Sequence, residues 1–91
     1  MIRFVLSEEG IYPRTMRVDQ GLINLALEDK TNGSNGLLVE SIIGNDRVRL
    51  AQIARAEMHW RGRAMLRLTP GRYLVSDASK TGHQAELIVN P

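Results

Sequence analysis

The sequence predicts an all-β fold, a Greek-key β-sandwich of about seven or eight strands with one short helical segment. Turn-forming pairs recur roughly every ten residues, for example Asn35-Gly36, Gly44-Asn45 and Pro70-Gly71. Between these turns, apolar residues occupy every second position, which is the period of a half-buried strand. The length of 91 residues is typical of one domain, so we expect a single domain over residues 1–91.

The first half of the chain contains four predicted strands. Three of them have apolar residues at every second position, over residues 2–6, 15–19 and 23–28. The fourth, Leu37-Leu38-Val39, is apolar on both faces, as expected for a central strand. The alternation places each apolar set on one side of its strand and predicts that this side faces the core.

Residues 46–58 contain the predicted helical segment. Leu50 to Met58 is rich in helix-forming residues, and Asn45 or Asp46 can cap its start. The alternative is a further strand, with Arg47 and Arg49 facing outward. The periodicity leaves both possibilities open.

The clearest strand of the second half spans residues 60–68. Its two faces differ in chemistry, with Trp60, Gly62, Ala64, Leu66 and Leu68 on one side and Arg61, Arg63, Met65 and Arg67 on the other. We therefore expect Trp60 to belong to the core and the arginines to face solvent. Two further strands are predicted around residues 72–75 and 85–89.

Several classes of protein are excluded by composition. The chain has no cysteine, which excludes disulfide scaffolds, thiol catalysis, cysteine-ligated zinc and iron–sulfur clusters. No common catalytic motif occurs, so we expect no enzyme, no catalytic residues and no cofactor. No apolar run is long enough to span a bilayer, and residues 1–6 are too short for the apolar region of a signal peptide.

Positive charge is concentrated in one part of the chain. From Asp46 to Arg72 there are seven arginines and two acidic residues, although the net charge of the whole chain is only +2. Alternate residues of a strand lie about 6.7 Å apart on one face, so Arg61, Arg63 and Arg67 form a positive stripe. Arg47 and Arg49 widen it into a candidate interaction surface for an anionic partner. The alternative is an ordinary solvated face that prevents edge-to-edge pairing.

Two blocks of the sequence resemble the opening and the close of cupredoxin domains. The first contains Ile11-Tyr12-Pro13, Met16–Gly21 and Ile23–Glu28, and the second contains the hairpin Leu68–Tyr73 followed by Gly82–Val89. Together they cover about half of the chain. The resemblance implies a cupredoxin-like sandwich. Transthyretin-like and carboxypeptidase-regulatory sandwiches share the Pro-Gly-x-Tyr hairpin and are the alternative fold.

The resemblance fails at the positions that would hold copper. A blue-copper site uses two histidines, a cysteine and usually a methionine. No histidine occurs near Asn35-Gly36-Leu37, Asp77 stands at the cysteine position, and Leu87 stands at the methionine position. Only His83 matches, and it is a weak metal candidate. We therefore expect a cupredoxin-like domain that lacks the copper ligands and binds no metal.

These observations favour a non-catalytic protein-interaction module or a small accessory subunit of a larger complex. One alternative is copper-binding electron transfer through an atypical site at His83. Another is the binding of nucleic acid or lipid head groups through the arginine stripe. Nucleic acid is disfavoured, because aromatic residues make up only 4% of the chain and base stacking requires them. A homo-oligomer is also possible. The resemblance to cupredoxins implies an extracytoplasmic, periplasmic location.

Overall fold

The computed structural model describes residues 2–30, 36–53, 61–78 and 83–91, without the side chains of Asp29 and Arg61. These residues form nine strands and no helix. In chain order the strands are β1 (Ile2–Ser7), β2 (Gly10–Tyr12), β3 (Thr15–Asp19), β4 (Gly21–Asp29), β5 (Leu37–Ile43), β6 (Asp46–Ile53), β7 (Arg61–Leu68), β8 (Gly71–Asp77) and β9 (Gln84–Asn90). The all-β prediction is confirmed, and the short β2 and the strand β6 raise the number of strands above the expected one.

The strands form two sheets. One contains four strands in the order β2-β1-β4-β7, and the other contains five in the order β3-β9-β8-β5-β6. β1 runs parallel to β4 and β3 runs parallel to β9, whereas the other neighbouring pairs are antiparallel. The chain repeatedly crosses from one sheet to the other, as between β4 and β5 and between β6 and β7. This crossing is typical of a Greek-key sandwich.

The core is built by the alternating residues that the sequence predicts. Ile23, Leu25 and Leu27 of β4 are all buried, whereas Leu22 at the start of the same strand is exposed. The largest fully buried side chains come from both sheets: Phe4, Leu6, Ile11, Leu25, Leu27, Leu37, Leu87, Val39 and Val75. The two inner faces therefore share one apolar layer, which is the main source of stability in such a fold.

The predicted helix is wrong over Asp46–Ile53, because these residues form β6 and pair with β5. Val39 lies opposite Ala51 and Glu40 lies opposite Arg49, so Leu50 is an extra residue in a β-bulge. At the bulge, successive side chains on one face of the strand are three residues apart in sequence instead of two. A spacing of three is also found on one face of a helix, so the pattern resembles that of a helix. The strand alternative is correct, and residues 54–58 of the predicted helix lie outside the described residues.

The hairpin between β7 and β8 contains a tyrosine with a structural role. Tyr73 is buried, and its hydroxyl group donates a hydrogen bond of 2.7 Å to the carbonyl oxygen of Thr69. The Thr69 hydroxyl oxygen lies 3.3 Å from the same phenolic oxygen. The polar end of the ring is thus satisfied locally, which allows the ring itself to pack in the core.

Candidate functional site

The segments that would carry copper ligands meet at one end of the five-stranded sheet. Asp77 ends β8, and its backbone N–H donates to the carbonyl oxygen of His83 at 3.1 Å, just before β9. The N–H of Ala78 donates to the carbonyl oxygen of Gly36 at 3.0 Å, just before β5. In addition, Leu37 pairs with Asp77. The structure therefore brings together three segments that are distant in sequence.

The side chains at this end of the sheet do not form a copper donor set. Asp77 is buried and Leu87 is fully buried. The Nδ1 atom of His83 is buried and has no hydrogen-bond partner among the described residues. Within the same residues, no group of three or more His, Cys, Asp or Glu side chains can hold a metal ion. Because type 1 copper requires a thiolate and the chain has no cysteine, these residues do not fit such a centre.

The predicted interaction residues are divided between two edge strands. Arg63 and Arg67 are exposed on β7 of the four-stranded sheet, and Arg61 begins that strand. Arg47 and Arg49 are exposed on β6 of the five-stranded sheet. β6 and β7 approach each other at one side of the sandwich but are not hydrogen-bonded to each other. The five residues therefore do not form one stripe on one face.

Several arginines outside β7 lie opposite or close to acidic residues. Arg49 lies directly opposite Glu40 in the β5–β6 register. The Nε atom of Arg72 donates to Glu86 at 3.2 Å. A nitrogen of Arg3 lies 3.9 Å from an oxygen of Glu28. These exposed pairs contribute little to stability, but they reduce the positive charge that each arginine presents to a partner.

Two of the three arginines of β7, Arg63 and Arg67, have no acidic residue directly opposite, whereas Arg61 lies opposite Glu28. Arg63 lies opposite Ala26 and Arg67 lies opposite Leu22 in the β4–β7 register. Neither arginine forms an ion pair within residues 2–30, 36–53, 61–78 and 83–91. Within the described residues, Arg63 and Arg67 thus present charge that no ion pair offsets, as does Arg47, which lies opposite Ile42 in the β5–β6 register.

Exposed apolar residues accompany these arginines, and sequence reasoning missed their significance. Met65 is 56% exposed and lies between Arg63 and Arg67 on the same face. Leu22 is 57% exposed and lies diagonally across from Met65 on β4. The exposure of Met65 could be predicted from the sequence, because Met65 alternates in phase with the arginines of its strand. Leu22 had no such signal, because its exposure depends on which strand pairs with β4.

The part of the chain described by the structure contains no helix that is long and apolar enough to cross a membrane.

Comparison with known proteins identifies the fold. No family model matches the sequence, and no curated protein matches it. Among solved structures, a purple cupredoxin from Nitrosopumilus maritimus aligns with 99% of this chain and 100% of its own, at 10% identity and a TM-score of 0.68. A Cu(I) form of an amicyanin variant aligns with 98% of this chain and 81% of its own, at 10% identity and a TM-score of 0.64.

A copper-containing nitrite reductase from Thermus scotoductus is also similar. It covers 99% of this chain at 15% identity and a TM-score of 0.62, and the match spans 22% of the reductase. Identities this low establish a likeness of fold and nothing about activity. The likeness confirms the cupredoxin-like prediction. The chain therefore has a cupredoxin-like fold and lacks the cysteine that a type 1 copper site needs.

Proposed function

We propose that this protein is a non-catalytic, metal-free cupredoxin-like module, a single domain over residues 1–91 that binds another protein. It acts as an interaction domain or as a small accessory subunit of a larger complex. Its location, by similarity to cupredoxins, is extracytoplasmic. The proposal concerns the use of the scaffold's surface, because fold alone does not assign a function.

The observation that carries the proposal is the contrast between two parts of the surface. The end of the sheet that would bind copper carries Asp77, the imidazole of His83 and the core residue Leu87. The edge at β7 carries Arg63 and Arg67, which have no acidic residue directly opposite them on β4, together with exposed Met65. Exposed charged side chains next to an exposed apolar side chain are typical of surfaces that bind a macromolecule of complementary charge.

A native pull-down of the tagged full chain from its source cells, with and without nuclease, tests this proposal. We expect a stoichiometric protein partner that persists after nuclease treatment, identified by mass spectrometry. A tag-only sample is the control. The absence of any specific protein would contradict the proposal, and exclusively nuclease-sensitive material would instead support nucleic-acid binding through the arginines.

The second candidate function is copper binding at an atypical site. It is favoured by the buried Nδ1 atom of His83, which has no partner among the described residues, and by the adjacent carboxylate residue Asp77. We expect no binding of Cu(II) at micromolar concentration, because one imidazole and one carboxylate leave a first-row metal short of ligands.

Titration calorimetry of the wild type and of His83→Ala separates the two functions. Binding by the wild type that disappears in His83→Ala would support the copper site and contradict the metal-free module. Equal weak binding by both proteins would indicate adventitious binding that does not involve His83.

A further inference from the structure

We infer that the free edge of β7 binds an extended acidic segment of another protein by strand addition. The bound segment carries an acidic, an apolar and an acidic residue at alternate positions, opposite Arg63, Met65 and Arg67. This inference rests on the proposed function and adds to it the binding surface and the chemistry of the partner.

The backbone of β7 provides a long and regular template. β7 pairs with β4 without interruption from Leu68 opposite Gly21 to Arg61 opposite Glu28. In the chain as far as the structure describes it, no strand pairs with the other side of β7. An edge strand of eight residues therefore presents a row of backbone N–H and C=O groups to a further strand.

The other edges of the two sheets are poorer templates. β2 has three residues and β3 has five. β6 has eight residues, but the bulge at Leu50 interrupts it. Bulges and short strands are the devices that protect edges from pairing. Of the described edges, β7 alone is both long and uninterrupted.

The exposed side chains of β7 define what the added strand must carry. Arg63, Met65 and Arg67 lie on one face and are all exposed. Directly opposite residues of neighbouring strands have Cβ atoms about 5 Å apart, and opposite charges at such positions attract. An acidic residue opposite each arginine and an apolar residue opposite Met65 therefore match this face.

The inner face of the added strand has a different requirement. Ala64 and Leu66 of β7 are half-buried and pack against the core. Residues of the added strand beside them would extend the apolar layer between the sheets, so apolar residues are favoured there as well. The recognised pattern thus has one acidic residue, three apolar residues and a second acidic residue.

A second copy of this chain does not fit the edge through its own β7. An antiparallel pairing centred on Met65 places Arg63 of each copy opposite Arg67 of the other, and an in-register parallel pairing places each arginine opposite itself. Like charges directly opposite each other destabilise a pair of strands. The charge of β7 therefore favours a different, acidic chain over self-association.

A synthetic peptide of the sequence Thr-Thr-Glu-Val-Val-Val-Glu-Thr-Thr, acetylated and amidated, is the probe. Its symmetric core presents the same pattern in either strand direction. We expect binding when the peptide is added to the protein up to millimolar concentration in an NMR titration. Hydrogen exchange with solvent is expected to slow at the backbone amides of alternate residues of β7. A peptide of the same composition, Thr-Thr-Glu-Val-Val-Glu-Val-Thr-Thr, places its second acid on the opposite face and is expected to bind more weakly.

Charge reversal identifies the edge that binds. Arg63→Glu/Arg67→Glu is expected to weaken binding about tenfold, because two attractive pairs become repulsive. The matched control Arg47→Glu/Arg49→Glu on β6 is expected to leave the affinity within about twofold, since it changes long-range attraction only. A peptide with Lys in place of both Glu residues is expected to bind the β7 variant better than the wild type. All four positions are exposed, and a dispersed amide spectrum checks folding.

The inference is overturned if β7 amides gain no protection at millimolar peptide, or if the β6 and β7 variants lose affinity equally. The pull-down separates this failure from that of the proposed function. A partner captured equally by the wild type and by Arg63→Glu/Arg67→Glu would overturn only the assignment to β7. Failure to capture any protein would contradict the proposed function itself.

Discussion

Replacement of Leu25 by alanine is expected to lower the free energy of unfolding by about 3 kcal/mol. Leu25 is fully buried in the middle of β4, which pairs with β1 on one side and with β7 on the other. Truncation removes apolar burial and leaves a cavity that strands held on both sides cannot close. Urea or guanidinium unfolding followed by circular dichroism measures the change.

The matched control is Leu22→Ala on the same strand. Leu22 is 57% exposed whereas Leu25 is 0% exposed, and the substitution is chemically identical. We expect a change within about 0.5 kcal/mol, as is usual for surface positions. Equal losses in the two variants would contradict the assignment of the β4 faces and, with it, the orientation of the β7 arginines.

Replacement of Ala85 by leucine is expected to lower the free energy of unfolding by about 2 kcal/mol through overpacking. Ala85 is buried and lies directly opposite the fully buried Val75 in the β8–β9 pair. The added carbon atoms must displace close-packed neighbours, because protein interiors leave few voids of that size.

The comparable small residue on an outer face is Ala26. It lies between Arg3 and Arg63 in the register of the four-stranded sheet. Ala26→Leu is expected to change the free energy of unfolding by no more than about 0.5 kcal/mol. An Ala85→Leu variant as stable as the wild type would show that the layer between β9 and the opposite sheet holds an unfilled space.

The alternation of apolar residues was sufficient to predict most of the core. Ile23, Leu25 and Leu27 were assigned to one face, and all three are buried. This prediction works because a strand's side chains alternate whatever strands lie beside it. The same reasoning failed at Leu50, where a bulge interrupts the alternation and the sequence around it imitates a helix.

The positions that correspond to the copper ligands of cupredoxins could also be predicted from the sequence, through its resemblance to that family. Asp77, His83 and Leu87 were matched to ligand positions, and the structure places Asp77 and His83 side by side. That they do not form a type 1 copper donor set follows from the sequence alone, because the chain has no cysteine and Leu87 has no ligating atom. The burial of the Nδ1 atom of His83 without a partner among the described residues is a property of packing.

The amino-acid sequence is sufficient to predict the all-β class and the faces of the regular strands, to exclude a thiolate and to locate the concentration of arginines after Asp46. Each of these properties depends on composition or on residues that are close together in the sequence. The three-dimensional fold is needed to show which strands are edges, that Arg47 and Arg49 lie in a different sheet from Arg63 and Arg67, and which arginines lie opposite acidic residues. The physical reason is that strand order and cross-strand pairing join residues far apart in the chain, and their choice depends on how the two sheets bury their apolar faces together.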